Sequence, residues 1–64
     1  MFANLYAEMK KRKITQVKLS AYLGITNRAF NMKIKGGNFT SDEMFAIKEK
    51  FFPDKSLEYL FKKK

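Results

Sequence analysis

The chain has 64 residues and carries 14 Lys and Arg against six Asp and Glu, with no Cys and no His, for a net charge of +8. That length allows a single domain spanning residues 1–64, and the missing residue types exclude disulfides, the usual zinc-ligand sets and His- or Cys-based catalysis. An apolar content of 45%, with seven Phe, three Tyr and four Met, excludes a disordered tail.

The elements follow in chain order. Phe2, Leu5, Tyr6 and Met9 recur at helical spacing and predict a first helix from Phe2 to Arg12, with Lys10 to Lys13 at the end where the helix dipole favours cations. Lys13–Ile14 is the break. Thr15 is a suitable N-cap for a second helix, Gln16 to Leu23, with Leu19 and Leu23 facing inward. Gly24 can take the left-handed conformation that ends it, Ile25 anchors the turn, and Thr26 caps a third helix from Asn27 to about Lys35, stopped by Gly36–Gly37. Thr40-Ser41-Asp42-Glu43 has the form of a capping box and starts a fourth helix with Met44, Ile47 and Phe51 on one face, widened by Phe45 and Phe52. Pro53 ends it, and Ser56 caps a last short helix, Leu57 to Phe61; Lys62 to Lys64 are expected to fray. No segment alternates over strand length, so the predicted fold is an all-α bundle of four or five helices.

Charge narrows the function. Residues 1–41 hold eight bases against one acid, Glu8, whereas residues 42–64 hold six bases and five acids. Positive charge gathered in one part of a small fold suits a polyanion, because neutralising phosphates releases counterions. No apolar run approaches the roughly 18 residues that cross a bilayer, and no basic-then-apolar leader opens the chain. The expected setting is therefore a bacterial cytoplasm.

The segment from Gln16 to Gly36 carries the clearest functional pattern. Two helices of about eight residues, joined by a Gly-containing turn too short for antiparallel packing, must cross steeply. Thr15-Gln16-x-x-Leu19-Ser20-x-x-Leu23-Gly24-Ile25-Thr26 resembles the Cro/C1-type helix-turn-helix family of phage repressors and related bacterial regulators. Gly36 matches the glycine that closes that family's recognition helix, Thr40 onward is similar to its fourth helix, and Phe51 to Phe61 resembles the ending of short prophage regulators. The likeness covers nearly the whole chain. It departs at Ser20, where the family prefers Ala, and at Lys33, usually apolar, beside which Ile34 can serve as the core residue.

The resemblance implies a lambda-repressor-like DNA-binding domain whose third helix enters the major groove. With Phe30 and Ile34 packed inward and Ala29 at the close helix contact, Thr26, Asn27, Arg28, Asn31 and Met32 are the candidate base contacts. Arg28 can pair with guanine O6 and N7, Asn27 or Asn31 with adenine N6 and N7, and Met32 or the Thr26 methyl can meet a thymine methyl. Gln16 resembles the family's glutamine that touches phosphate and braces the recognition helix. Lys10, Lys11, Arg12, Lys13, Lys18, Lys33, Lys35 and Asn38 are the further phosphate candidates, supplying affinity without sequence information.

Aromatic side chains could instead stack on single-stranded bases. Helical spacing assigns Phe2, Tyr6, Phe30, Phe45, Phe51 and Phe61 to the core, while Phe39, Phe52 and Tyr59 have no firm place, and any of these left exposed is read as a dimer contact.

The expected function is a sequence-specific, double-stranded DNA-binding transcriptional regulator that covers a palindromic operator as a homodimer, with the C-terminal helix as the expected contact. A chain this short is similar to a Cro-like protein or to the DNA-binding part alone of a longer repressor. The main alternative is a protein-interaction module of helix-turn-helix ancestry, an antitoxin or anti-repressor. A membrane-surface peptide is disfavoured by capping signals that specify a compact bundle. No cofactor, metal or small-molecule ligand is expected, and an enzyme is the least favoured class.

Overall fold

Hydroxyl caps divide the chain into helices. The computed structural model describes residues 1–63 and contains α1 (Ala3–Lys11), α2 (Gln16–Leu23), α3 (Asn27–Gly36), α4 (Ser41–Phe51) and α5 (Leu57–Leu60), with no strand among the described residues. Thr15, Thr26, Thr40 and Ser56 each accept the amide three residues on, at 3.2, 3.0, 3.1 and 3.1 Å. Glu43 completes the capping box at α4 by accepting the Thr40 amide at 2.9 Å. A lost cap of this kind costs about 1 kcal/mol, so each break is specified locally.

The helix ends are equally specific. At the end of α2, Gly24 has φ +73°, its amide reaches Ala21 and the Ile25 amide reaches back to the Ser20 carbonyl at 3.0 Å. The end of α1 uses the same pattern, with Lys13 to Lys10 at 3.2 Å and Ile14 to Met9 at 2.9 Å, but places Lys13 at φ +56°. In both turns an isoleucine, Ile14 or Ile25, then packs against the core.

Ten apolar side chains form that core: Phe2, Leu5 and Met9 from the first segment, Leu19 from α2, Phe30 and Ile34 from α3, then Phe39, Ile47, Phe52 and Leu60. Each fully buried Leu, Ile or Phe contributes about 1.5–3 kcal/mol, which a chain of this size needs. Phe39 ties the ends together, with ring centroids 5.8 Å from Phe2, 5.3 Å from Phe30 and 5.9 Å from Phe61.

Several expectations change. Helix α1 starts at Ala3, because the Phe2 amide is drawn to the Ile34 carbonyl at 3.0 Å, and ends at Lys11; α5 stops at Leu60, and α3 runs on to Gly36. Tyr6 and Phe45, both expected inside, are 41% and 56% exposed. In α4, Met44, Ile47 and Phe51 set the inward direction, and Phe45 lies about 200° around the helix from Ile47. Phe52 is fully buried instead, because the chain leaves helical geometry there and turns its side chain under the bundle. Phe39 is buried too, so of the three unplaced aromatics only Tyr59 is exposed, at 39%. Of the C-terminal lysines expected to fray, Lys64 lies outside the described residues.

No helix among the described residues is long and apolar enough to cross a membrane.

Candidate nucleic-acid interface

Helix α3 takes its orientation from Phe30 and Ile34, both buried one turn apart. Residues at about 100° steps then place Arg28, Met32 and Lys35 along one outward stripe, and all three are exposed. Met32, at 63%, is the most exposed large apolar residue. Asn27 and Asn31 occupy the flank of α3 whose first turn contacts α2, and Asn31 is only half-exposed. A ten-residue helix is about 15 Å long, against a major groove about 12 Å wide.

The first turns of α2 and α3 are clamped together. The Gln16 Nε2 donates to the Asn27 carbonyl at 3.1 Å, and Ser20 Oγ donates to Asn27 Oδ1 at 2.6 Å. Ser20 Oγ also lies 3.1 Å from the Val17 carbonyl, but one hydroxyl proton serves one acceptor, and the shorter contact takes it. Two helix N-termini therefore sit side by side, each with first-turn amides that helix geometry leaves without internal acceptors.

The predicted base contacts divide accordingly. Thr26, Arg28 and Met32 are exposed, although the Thr26 hydroxyl already caps α3. Asn27 is exposed too but is a correction: its side-chain oxygen accepts Ser20 in the clamp, so only its NH2 group stays free and the paired contact that reads adenine would have to break that bond. Asn31 keeps both groups but lies on the flank, so Arg28 and Met32 point outward most directly.

The predicted phosphate contacts divide as well. Lys10, Lys13, Lys18, Lys35 and Asn38 are exposed, as is Lys11 despite its loose 3.7 Å pair with Glu8, and Gln16 stands in the clamp. Arg12 is not available. Its guanidinium grips Asp54 with two hydrogen bonds of 2.8 and 2.7 Å, approaches Glu8 at 3.3 Å and lies 5.1 Å from the Phe52 ring centroid. Lys33 is likewise taken, its ammonium 3.2 Å from Glu43 Oε1, the oxygen that also closes the capping box of α4.

Glu8 is the residue that sequence reasoning passed over. Its side chain is 2% exposed and receives the Tyr59 hydroxyl at 3.1 Å, joining α1 to α5. Burial opposes its ionisation, but the Tyr59 hydrogen bond and the charges of Lys11, Lys55 and Arg12 outweigh burial and lower its pKa. The same hydrogen bond, with burial, raises the Tyr59 pKa. The Arg12 hydrogen bonds hold the Asp54 carboxyl at about 2. One sequence signal for this network existed: Glu8 is the sole acid among residues 1–41 and precedes Arg12 by one helical turn. The partners Asp54 and Tyr59 had no such signal, being more than 40 residues away.

Comparison of the chain with known protein families, with curated proteins and with solved structures yields no match.

Proposed function

We propose that the chain is a sequence-specific double-stranded DNA-binding transcriptional regulator of the Cro/C1 type, a phage or prophage repressor that occupies a palindromic operator. The observation that carries this reading is the outward stripe of α3. Arg28, Met32 and Lys35 stand exposed together on a helix held from behind by Phe30 and Ile34 and braced at its first turn by Gln16 and Ser20. Arg28 reads guanine and Met32 meets a thymine methyl, while Lys10, Lys11, Lys13, Lys18 and Lys35 supply phosphate contacts. Repression is passive, by covering the site. A homodimer is expected because a single recognition helix reads too few base pairs to select one site in a genome.

The test is selection of binding sites from a random duplex library at about 150 mM salt, where nonspecific attraction is weak. An enriched palindrome with half-sites about 10 base pairs apart is the expected result. Absence of any enriched sequence overturns the reading.

A second reading, as a protein-interaction module such as an antitoxin or anti-repressor, is favoured by the exposed Phe45 and Val17, 56% and 58% accessible on α4 and α2. Capture of one protein partner, lost in Phe45→Ala and unaffected by Arg28→Ala, would select it.

A further inference from the structure

The C-terminal lysines lie against the far end of α3. Phe61 packs edge-on against Phe2 at 5.2 Å and Phe39 at 5.9 Å, so the residues after it emerge beside the α3–α4 turn. There the side chain of Lys63 runs across Gly37. A Cβ on that glycine would stand 3.7, 3.6 and 3.2 Å from Lys63 Cγ, Cδ and Cε, so the lysine stem lies in van der Waals reach of the turn, while the φ of +69° is what favours glycine there. The neighbouring Asn38 folds its amide over Gly36, 3.5 Å from where a Cβ would be. Lys35, Asn38, Lys62 and Lys63 are all exposed in this region. The ion pairs of the described residues engage Lys11, Arg12, Lys33 and Lys48, and none includes Lys35, Lys62 or Lys63.

From this arrangement we infer that Lys62 and Lys63, with Lys35 and Asn38, form a second contact for nucleic-acid phosphates at the end of α3 remote from Thr26 and Arg28. The inference rests on the DNA-binding reading and extends it: one end of α3 reads bases, and the other is held to the backbone by the tail. Packing of Phe61 on Phe2 and Phe39 fixes where the tail leaves the fold, which keeps its lysines near this end of α3. Simple compensation of the negative end of the α3 dipole is the competing role for these charges. It predicts a lower melting temperature on neutralisation and no change in salt dependence.

The full chain and the duplex enriched by selection provide the test, by fluorescence anisotropy between 50 and 200 mM salt. Each phosphate contact adds about 0.9 to the slope of log affinity against log salt, so Lys62→Gln/Lys63→Gln should lower that slope by about 1.8. The affinity gap from wild type should then narrow about twelve-fold across this salt range. Lys62→Arg/Lys63→Arg should keep the wild-type slope, and the charge-matched Lys50→Gln/Lys55→Gln should change it by less than half as much. An unchanged slope in the Lys62/Lys63 variant, or an equal loss in the control, overturns the inference while leaving operator reading intact. If wild type selects no sequence yet binds duplex, and the slope loss is confined to Lys62 and Lys63, operator reading fails and the phosphate contact stands. No duplex binding at all overturns both.

Discussion

Replacing Lys13 by glycine should make the protein more stable and bind DNA less tightly. Lys13 is the one non-glycine among the described residues with positive φ, at +56°. There its Cβ crowds the following carbonyl, which costs about 1–2 kcal/mol. Its backbone serves the turn, donating to Lys10 at 3.2 Å, and its exposed side chain has no hydrogen bond or ion pair among the described residues. Glycine relieves the crowding and returns about 0.4–1 kcal/mol of that gain through its greater freedom in the unfolded chain. The net is about 1 kcal/mol. At about 2.1 cal/mol/K per residue, the unfolding entropy of 64 residues is about 0.13 kcal/mol/K, so Tm rises by about 7 °C.

Lys13→Ala separates the two effects. It keeps the crowded backbone and removes the charge, so its stability should stay within about 0.5 kcal/mol of wild type. Both variants should lower the salt slope of DNA binding by about 0.9 if Lys13 meets a phosphate. Thermal melts by circular dichroism measure the first quantity and anisotropy titrations the second. A Lys13→Gly protein melting at or below wild type would refute the strain in this turn. A salt slope unchanged in both variants would remove Lys13 from the phosphate contacts.

Phe52→Ala should cost about 3–5 kcal/mol, most of what a 64-residue domain has at about 0.05–0.15 kcal/mol per residue, whereas Phe45→Ala should change stability by less than about 0.5 kcal/mol. Urea unfolding checks both, and equal losses would contradict the opposite burial of the two rings. Acid sensitivity follows from Asp54, whose folded pKa of about 2 lies below the ordinary 3.8: its stabilisation is present above about pH 4 and is lost as pH falls toward 2. Asp54→Asn should therefore lower Tm near neutrality and flatten its decline between pH 4 and 2, and an unchanged acid profile would count against the Arg12 grip. Arg28→Ala should relax one base position of the selected site by about 1–3 kcal/mol without changing Tm, while Asn27→Ala should lower Tm through loss of the clamp. An Asn27→Ala protein of unaltered Tm and altered base preference would return Asn27 to the reading face.

Which parts of this were legible depended on how local the cause was. Thr15, Gly24, Thr26, Thr40 and Ser56 each act within about four residues, so helix starts and the α2–α3 turn could be read from composition at known offsets. The inward faces of α1 and α3 were equally readable from Leu5, Met9, Phe30 and Ile34. Phe45 was misplaced although the period of α4 already sets it opposite Ile47: its size and apolarity were weighed above its angle. Phe39 and Phe52 lie at helix margins, where no period applies, and only assembly shows that both point inward.

Polar residues were harder, for a physical reason that also shapes the proposed site. A cation on an amphipathic helix can face DNA or an acid elsewhere in the fold, and its own sequence neighbourhood is the same in either case. Arg12 looked like one more member of a basic run, yet Asp54 lies 42 positions away and takes both of its forks. Lys33 looked like a phosphate ligand, yet it completes the start of α4 through Glu43. Asn27 looked like a base reader, yet Ser20 recruits it to hold α2 on α3. Each reassignment removes a residue from the proposed contact and rigidifies what remains. Arg28 and Met32 then project from a helix whose first turn is pinned at Asn27 and whose last turn is pinned through Lys33, so the backbone that carries them is already placed. Such preorganisation directs binding energy toward discrimination between bases, because less of it is consumed in ordering the protein.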